Sequence, residues 1–546
     1  MVKLKSLLIC LISFGTLLSQ NDLPKDYLSK EFHKERRDAL RAQMPPNSIA
    51  TFFANPVRNR SNDVQYIYHQ DPNFYYLTGY KEPHAVLVIF SDVQTNANGE
   101  TYNELLFVQE RNPQAEMWTG KRLGTEGAKQ QLGFDIALNG KEFFNSNIDY
   151  NSFDKIMFNN FHDDYRDSRR NGADLYDLIN SYKSDIGYDN YEEPSQILEI
   201  AYRMIKESTV ETSANVVQRL KGAYDRFPEL KSDPIISQFV DADESILRME
   251  LKQQAIKIEA EKPKSKLDSK SLSTIMAGLR QIKTKEEMIL LKKAVRISAM
   301  GQREVMKAMH PNMSETEVQG IHEYVYKKYG SEYEGYPSIV GAGENGCVLH
   351  YIDNNKMTLE NDLVLMDLGA EYHGYTADVT RTIPANGKFT KEQKLIYDLV
   401  YDAQEAGIDA ARKGNSHNSP DAAARKIINA GLAELGIIPS ANSRHSYFPH
   451  GTSHYLGLDV HDPGLRGPYE SGMVITVEPG IYIPEGSDCD KKWWGIAVRI
   501  EDDILITDSD PINLSFEAPR KSSEIEKLMA ESSALDDFKL PKLDKD

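Results

Sequence analysis

The sequence predicts an α+β protein of several domains, on three observations. The chain has 546 residues, too many for one hydrophobic core. It is 40% hydrophobic and 27% charged, an ordinary globular balance. In its C-terminal half the helical and strand patterns come in blocks and do not strictly alternate, which favours α+β over an alternating barrel.

The first stretch, MVKLKSLLICLISFGTLLSQNDLP, carries Lys3 and Lys5, no acid before Asp22, and an apolar run from Leu7 to Leu18. That run is short for a bilayer span and is followed by polar Ser19, Gln20 and Asn21, so residues 1–20 read as a secretory signal peptide. The alternative is an uncleaved N-terminal anchor. Cys10 lies inside the run and is not placed for lipid attachment. The expected location is therefore periplasmic or secreted, without stable membrane insertion once the signal is cleaved.

Residues 25–190 read as a smaller N-terminal α/β domain. LSKEFHKERRDALRAQM is an amphipathic helix stopped by Pro45 and Pro46, and SIATFFA, AVLVIFS and NELLFVQE are apolar runs of strand length. DKIMFNN and DLYDLINSYKS continue as strand and helix. Residues 191–280 turn rich in Glu, Lys, Gln and Ala and read as a helical insert and linker, interrupted at Pro263. Residues 281–520 form the next domain. It opens on a helix with Thr284 as N-cap and Glu287 three residues later, a capping box. Strands around SIVGAG, DLVLMDLGAEY and YTADVTRTIP follow, then helices near 390–412 and 420–435. Two more strands, MVITVEPGIYI and GIAVRIEDDILIT, complete it, and residues 521–546 are a charged tail.

Charge excludes some partners. Asp and Glu number 82 against 64 Lys and Arg, a net charge of −18. Loss of the signal peptide would remove two lysines and deepen it. Nucleic acid and anionic membrane surfaces both need a basic face, so neither is expected as a partner. Beyond the signal only Cys347 and Cys489 remain, enough for one disulfide and not for a disulfide framework.

The chemistry lies in carboxylates that break apolar strands. Asp367 interrupts DLVLMDLG, and Asp378 follows eleven residues later with Gly369 and Gly374 between, the spacing of two carboxylates facing each other across a hairpin. Glu478 ends the strand MVITV, and Glu501 follows Arg499 by two residues in IAVRIEDD. A carboxylate inside an apolar strand is costly unless paired or bound to metal, and four together suppress each other's ionisation. Four hard oxygen donors and one imidazole suit Mn²⁺, Co²⁺ or Zn²⁺ and favour two ions over one.

The imidazole comes from HGTSHYLGLDVHD, which holds His450, His454 and His461 of only thirteen histidines. The i,i+4 spacing of His450 and His454 fits a zinc-protease helix, but that motif needs Glu after the first His, and position 451 is Gly. With Gly451 and Gly457 a helix is disfavoured. In extended chain His450 and His454 share a face while His461 points away unless the chain bends. One or two of the three can bind the same metal.

VLHYIDNN, DLVLMDLGAEYHGYTADVTRT, HGTSHYLGLDVHD, TVEPGIYI and RIEDDILIT, in this order, resemble the metal-dependent "pita-bread" peptidases, and among them Xaa-Pro aminopeptidase (aminopeptidase P). SNDVQYIYHQDPNFYYLTGYKEPHAVLVIF and AEMWTGKRLG extend the likeness into the N-terminal domain. The resemblance implies a pita-bread catalytic domain and a pair of divalent ions, usually Mn²⁺. Asp367, Asp378, His454, Glu478 and Glu501 would be the ligands, with Asp378 and Glu501 bridging. It implies that a hydroxide bridging the ions releases the N-terminal residue from peptides with proline second. Glu478 would be the general base. His350 and His461 would steady the oxyanion, His450 would bind substrate, and Tyr482 and Arg499 would support the site. It also implies a homo-oligomer, dimer or tetramer, with Trp118 at a position that can lie near a neighbour's site. The insert looks long and the loop after His461 short for the family. The rival is a prolidase cutting Xaa-Pro dipeptides with the same ligands. A metal-free binding module or a creatinase-like hydrolase on this scaffold would lack that ligand set.

Overall fold

The computed structural model describes residues 26–96, 98–168, 171–191, 195–261 and 265–537. The stretch read as a signal peptide and the last residues of the charged tail lie outside them.

The N-terminal part is built on a six-stranded mixed sheet. In chain order its elements are α1 (Lys30–Arg41), β1 (Ser48–Phe53), α2 (Pro72–Thr78), β2 (Val86–Thr95), β3 (Thr101–Val108), β4 (Ala137–Asn139), β5 (Lys155–Phe158) and α3 (Leu175–Asp185). β6 (Leu267–Asp268) comes from beyond the insert, and the strand order is β4-β3-β2-β1-β5-β6. β1 pairs antiparallel with β2, Ile49 opposite Phe90, and parallel with β5. Both faces are buried, which is why these strands read as unbroken apolar runs. Leu87 and Ile89 face one core with Phe32 and Leu40 of α1, while Val86, Val88 and Phe90 face another with Leu178 and Tyr182 of α3. β6 falls inside the stretch read as helical insert and linker; two residues carry no strand period to read.

The insert itself is helical: α4 (Gln196–Glu207), α5 (Ser213–Ala223), α6 (Pro234–Asp241) and α7 (Ser245–Glu261). These pack around their own core, with Tyr202, Ile205, Leu220, Ile236, Phe239 and Leu251 buried together. Asp233 caps α6 and accepts from Tyr202 Oη at 3.1 Å.

α8 (Ser271–Gln281) leads into α9 (Lys285–Ala308), which begins with the predicted Thr284–Glu287 capping box. Then come α10 (Glu315–Lys328), β7 (Ile339–Ala342), β8 (Leu363–Asp367), β9 (Ala370–Tyr372), β10 (Tyr375–Thr376), β11 (Thr380–Pro384), α11 (Lys391–Ala410) and α12 (Ser419–Glu434). β12 (Val474–Val477), β13 (Gly480–Ile483), β14 (Ile496–Arg499) and β15 (Asp502–Leu505) close the domain. β7-β8-β11 form one antiparallel sheet, with Asp367 opposite Thr380; β12 pairs with β15 and β13 with β14. Asp378 stands in the gap between β10 and β11, and Glu501 between β14 and β15. Asp367 and Glu478 thus end strands, and Asp378 and Glu501 stand in the breaks between them. Cys347 and Cys489 are free thiols. Among the described residues no helix is long and apolar enough to cross a membrane.

Arg381 of β11 is completely buried and locks the sheets behind the carboxylates. Its guanidinium donates to Glu501 O at 2.6 Å, Asp502 Oδ1 at 2.7 Å, Ala518 O at 2.9 Å and Pro519 O at 3.0 Å. Arg381→Met is expected to cost about 3–5 kcal/mol, because it leaves buried acceptors and the Asp502 carboxylate short of a partner. The check is chemical denaturation of wild type and variant side by side; equal midpoints would refute the role.

Candidate metal centre

The strand breaks bring the predicted residues to one place. Donor atoms of Asp378, His454 and Glu501 all lie within 4.8 Å of one another. His454 Nε2 is 3.5 Å from Asp378 Oδ2 and 3.6 Å from Glu478 Oε1. Its Nδ1 is 3.0 Å from Tyr455 O. A carbonyl can only accept, so Nδ1 carries a hydrogen and Nε2 is the nitrogen that faces the carboxylates, free to ligate once a cation takes the place of its proton.

Asp367 and Asp378 are bridged from behind. Tyr336 Oη lies 2.7 Å from Asp367 Oδ1 and 2.6 Å from Asp378 Oδ1. Arg499 Nη2 donates to Asp367 Oδ2 at 2.5 Å. Thr380 Oγ1 donates to Glu501 Oε2 at 2.6 Å, while Glu501 Oε1 is buried without a hydrogen-bond partner.

The electrostatics describe a site short of positive charge. Burial drives the Glu501 carboxyl well above the ordinary range, and the charges of Asp378, Glu478 and Asp367 add to it. Burial also raises Glu478, against the pull of His454 and Arg499. Burial raises Asp367 too, opposed by Arg499. At Asp378 burial again pushes upward, but the hydrogen bond and charge of His454, with Tyr336 and Arg499, together hold the carboxyl below its ordinary range. At His454 burial works against the charged form, yet Asp378 and Glu478 raise it to about 9. With protein charges alone, protons must gather here. Hard oxygen donors, one oriented imidazole and an unpaired buried carboxylate oxygen fit a divalent cation in their place.

The other histidines surround this group. His461 stands edge-on to His454, ring centroids 4.5 Å apart, and burial and the His454 charge lower its pKa. His350 lies on the exposed rim, close enough for its charge to act on His461. His450 is tied into a relay. Arg499 Nη1 donates to Tyr482 Oη at 2.9 Å, Tyr482 Oη lies 2.8 Å from His450 Nε2, and His450 Nδ1 lies 2.8 Å from Gly451 O. Only one direction satisfies all three contacts: Tyr482 donates to Nε2 and Nδ1–H donates to the carbonyl. Both nitrogens of His450 are thus engaged, leaving its ring edge to meet a substrate. Burial, helped by Arg499, keeps it neutral by pulling its pKa down to about 4.

Sequence reasoning missed Tyr336, Thr380 and Asp503. Tyr336 sits in a Gly- and Pro-flanked loop with no period to mark it. Asp503 was visible as an extra acid in RIEDD; it is buried, and its Oδ2 accepts from Asp378 N at 3.2 Å. Trp118, read as an aromatic near a neighbour's site, is 88% exposed.

Comparison with known proteins agrees with this geometry. Residues 289–508 match the model of metallopeptidase family M24, and residues 33–149 that of the aminopeptidase P N-terminal domain. The chain is 33% identical over 514 residues to the Xaa-Pro aminopeptidase of Escherichia coli strain K12, covering 92% of this chain and 98% of that one. It is 32% identical to Xaa-Pro aminopeptidase 3 of Dictyostelium discoideum, over 94% of this chain and 85% of that one. Among solved structures, E. coli aminopeptidase P with the inhibitor Pro-Leu superposes with a TM-score of 0.69 at 31% identity, covering 92% and 98% of the two chains. An aminopeptidase of Pseudomonas aeruginosa gives 0.68 at 29% with the same coverage.

Proposed function

The chain belongs to the Xaa-Pro aminopeptidase family of M24 metallopeptidases, and on that premise we propose that it releases the N-terminal residue from peptides with proline in second position. The observation that carries the reading is the convergence of Asp378, His454 and Glu501 within ligating distance, with Asp367 and Glu478 alongside and His450 and His461 at the edge.

Asp367, Asp378, His454, Glu478 and Glu501 would hold two divalent ions, Mn²⁺ by preference. When bound, such ions would supply Lewis acidity that makes water a better nucleophile near neutral pH and polarises the scissile carbonyl. The remaining work falls to the chain. Tyr336, Thr380 and Arg499 fix the carboxylates, so that ligand geometry is set before metal arrives. Glu478, at the end of β12, takes the proton of the attacking water and passes it to the proline nitrogen as the C–N bond breaks. His461 and His350 hydrogen-bond the oxyanion that develops on the carbonyl oxygen. Neutral His450, held by Tyr482, offers the proline ring an apolar edge. The free α-amine sits against the acidic group, which confines cleavage to the first peptide bond.

The basic-then-apolar start of the chain supports export, and exposed Trp118 supports a homo-oligomer, dimer or tetramer.

The test compares Arg-Pro-Pro with the dipeptide Gly-Pro, using chelated enzyme with Mn²⁺, Co²⁺ or Zn²⁺ added back. The expected result is metal-dependent release of Arg from the tripeptide, greatest with Mn²⁺. A strict dipeptide preference would make the enzyme a prolidase; no metal-dependent hydrolysis of either would overturn the reading.

A further inference from the structure

The loop that carries His461 is held by buried charge, not by strand pairing. Asp462, the next residue, is buried, and its Oδ2 accepts from Lys283 Nζ at 2.8 Å while Oδ1 accepts from Arg280. Lys283 Nζ also donates to Arg280 O at 2.6 Å. The last turn of α8 and the link to α9 thus grip one carboxylate with two cations. Around it the loop is wrapped without slack. Leu465 N donates to Gln281 Oε1 at 2.9 Å, Lys283 N to Gly472 O at 2.9 Å, and Asp462 N to Tyr455 O at 3.0 Å. A Cβ on Gly457 would stand 2.6 Å from Asp462 Oδ2 and 2.7 Å from Lys283 Nζ, so the sequence needs glycine there.

The grip reaches into the N-terminal domain. Arg280 Nη1 donates to Asn73 Oδ1 of α2 at 2.8 Å, and Tyr76 Oη of the same helix donates to Leu279 O at 3.1 Å. At its other end the loop sets His461 against His454.

We propose that Asp462, gripped by Arg280 and Lys283, is a positioning residue for His461, and that Asn73 makes the N-terminal domain part of that grip. This rests on the reading of His461 as an oxyanion donor. A ring displaced by about 1 Å loses much of its effect on the transition state and little of its effect on ground-state binding.

The test is a double-mutant cycle of Asp462→Asn and His461→Ala in the Mn²⁺-loaded full chain, following kcat and KM on Arg-Pro-Pro. Asp462→Asn alone is expected to lower kcat at least about tenfold, with KM and metal content near wild type. In the His461→Ala background it is expected to lower kcat no further. A general structural defect would act equally in both backgrounds, and that result overturns the proposal. If Asp462→Asn does not fold, Asn73→Ala, which keeps the buried ion pairs, runs the same cycle. Wild-type kcat in Asn73→Ala removes the N-terminal domain from the device. His461→Ala with wild-type kcat instead overturns the assigned role of His461, which separates the two failures.

Discussion

Glu478→Gln is expected to lower kcat about 10²–10⁴-fold, the worth of a positioned general base, while leaving KM and much of the metal content unchanged. The substitution keeps the volume of a buried side chain at the end of β12 and one of its oxygen donors. What it removes is the capacity to hold a proton between the attacking water and the leaving nitrogen. Glu478 is well placed for that transfer: Oε1 faces His454 Nε2 at 3.6 Å and Oε2 faces His450 Nδ1 at 3.7 Å, so it spans the ligand side and the substrate side of the site. Steady-state kinetics on Arg-Pro-Pro with parallel metal analysis make the check. A variant with near-normal kcat would take Glu478 out of the role.

His454→Ala and His461→Ala should part company, although the rings touch. His454 is the imidazole oriented for ligation, and its loss should weaken one ion by more than the 10–100-fold that follows from disturbing an outer partner. Metal analysis after gel filtration should find about one ion per chain in place of two. His461→Ala should keep both ions and lose rate, about 10²–10³-fold in kcat, as expected for removal of an oxyanion donor. Loss of metal from His461→Ala would make His461 a ligand and reverse the assignment.

The two histidines also mark what was legible in the sequence. Asp367, Asp378, Glu478 and Glu501 stood out because each breaks or ends an apolar run, a signal carried by composition within ten residues. The glycines of HGTSHYLGLDVHD excluded a helix and limited the ligating histidines, but only the surroundings of Nε2, which faces Asp378 and Glu478 in His454 and Tyr482 Oη in His450, distinguish the two. Tyr336 was invisible: it meets Asp367 from 31 residues upstream, through a loop with no period. The Asp462 grip was equally hidden, since its partners Lys283 and Arg280 lie 179 and 182 residues away and read locally as ordinary helix-end cations. The domain pattern followed from periodicity, while β6, only two residues long, could be placed only by its pairing with β5. Residues that make local patterns were readable; residues whose reason is a distant partner were not.

The cores of this protein do not follow its domain names. Phe32, Leu87 and Met157 of the N-terminal part share one continuous apolar cluster with Leu290, Val364, Val498 and Ile500 of the catalytic half, whereas the helices of the insert close on a cluster of their own. Burial couples whatever shares it. The sheet and the catalytic half are therefore expected to melt as one cooperative unit, so that a lesion at Phe32 lowers the stability of the candidate metal centre far along the chain. The insert, closed on a core of its own, is expected to open as a separate unit.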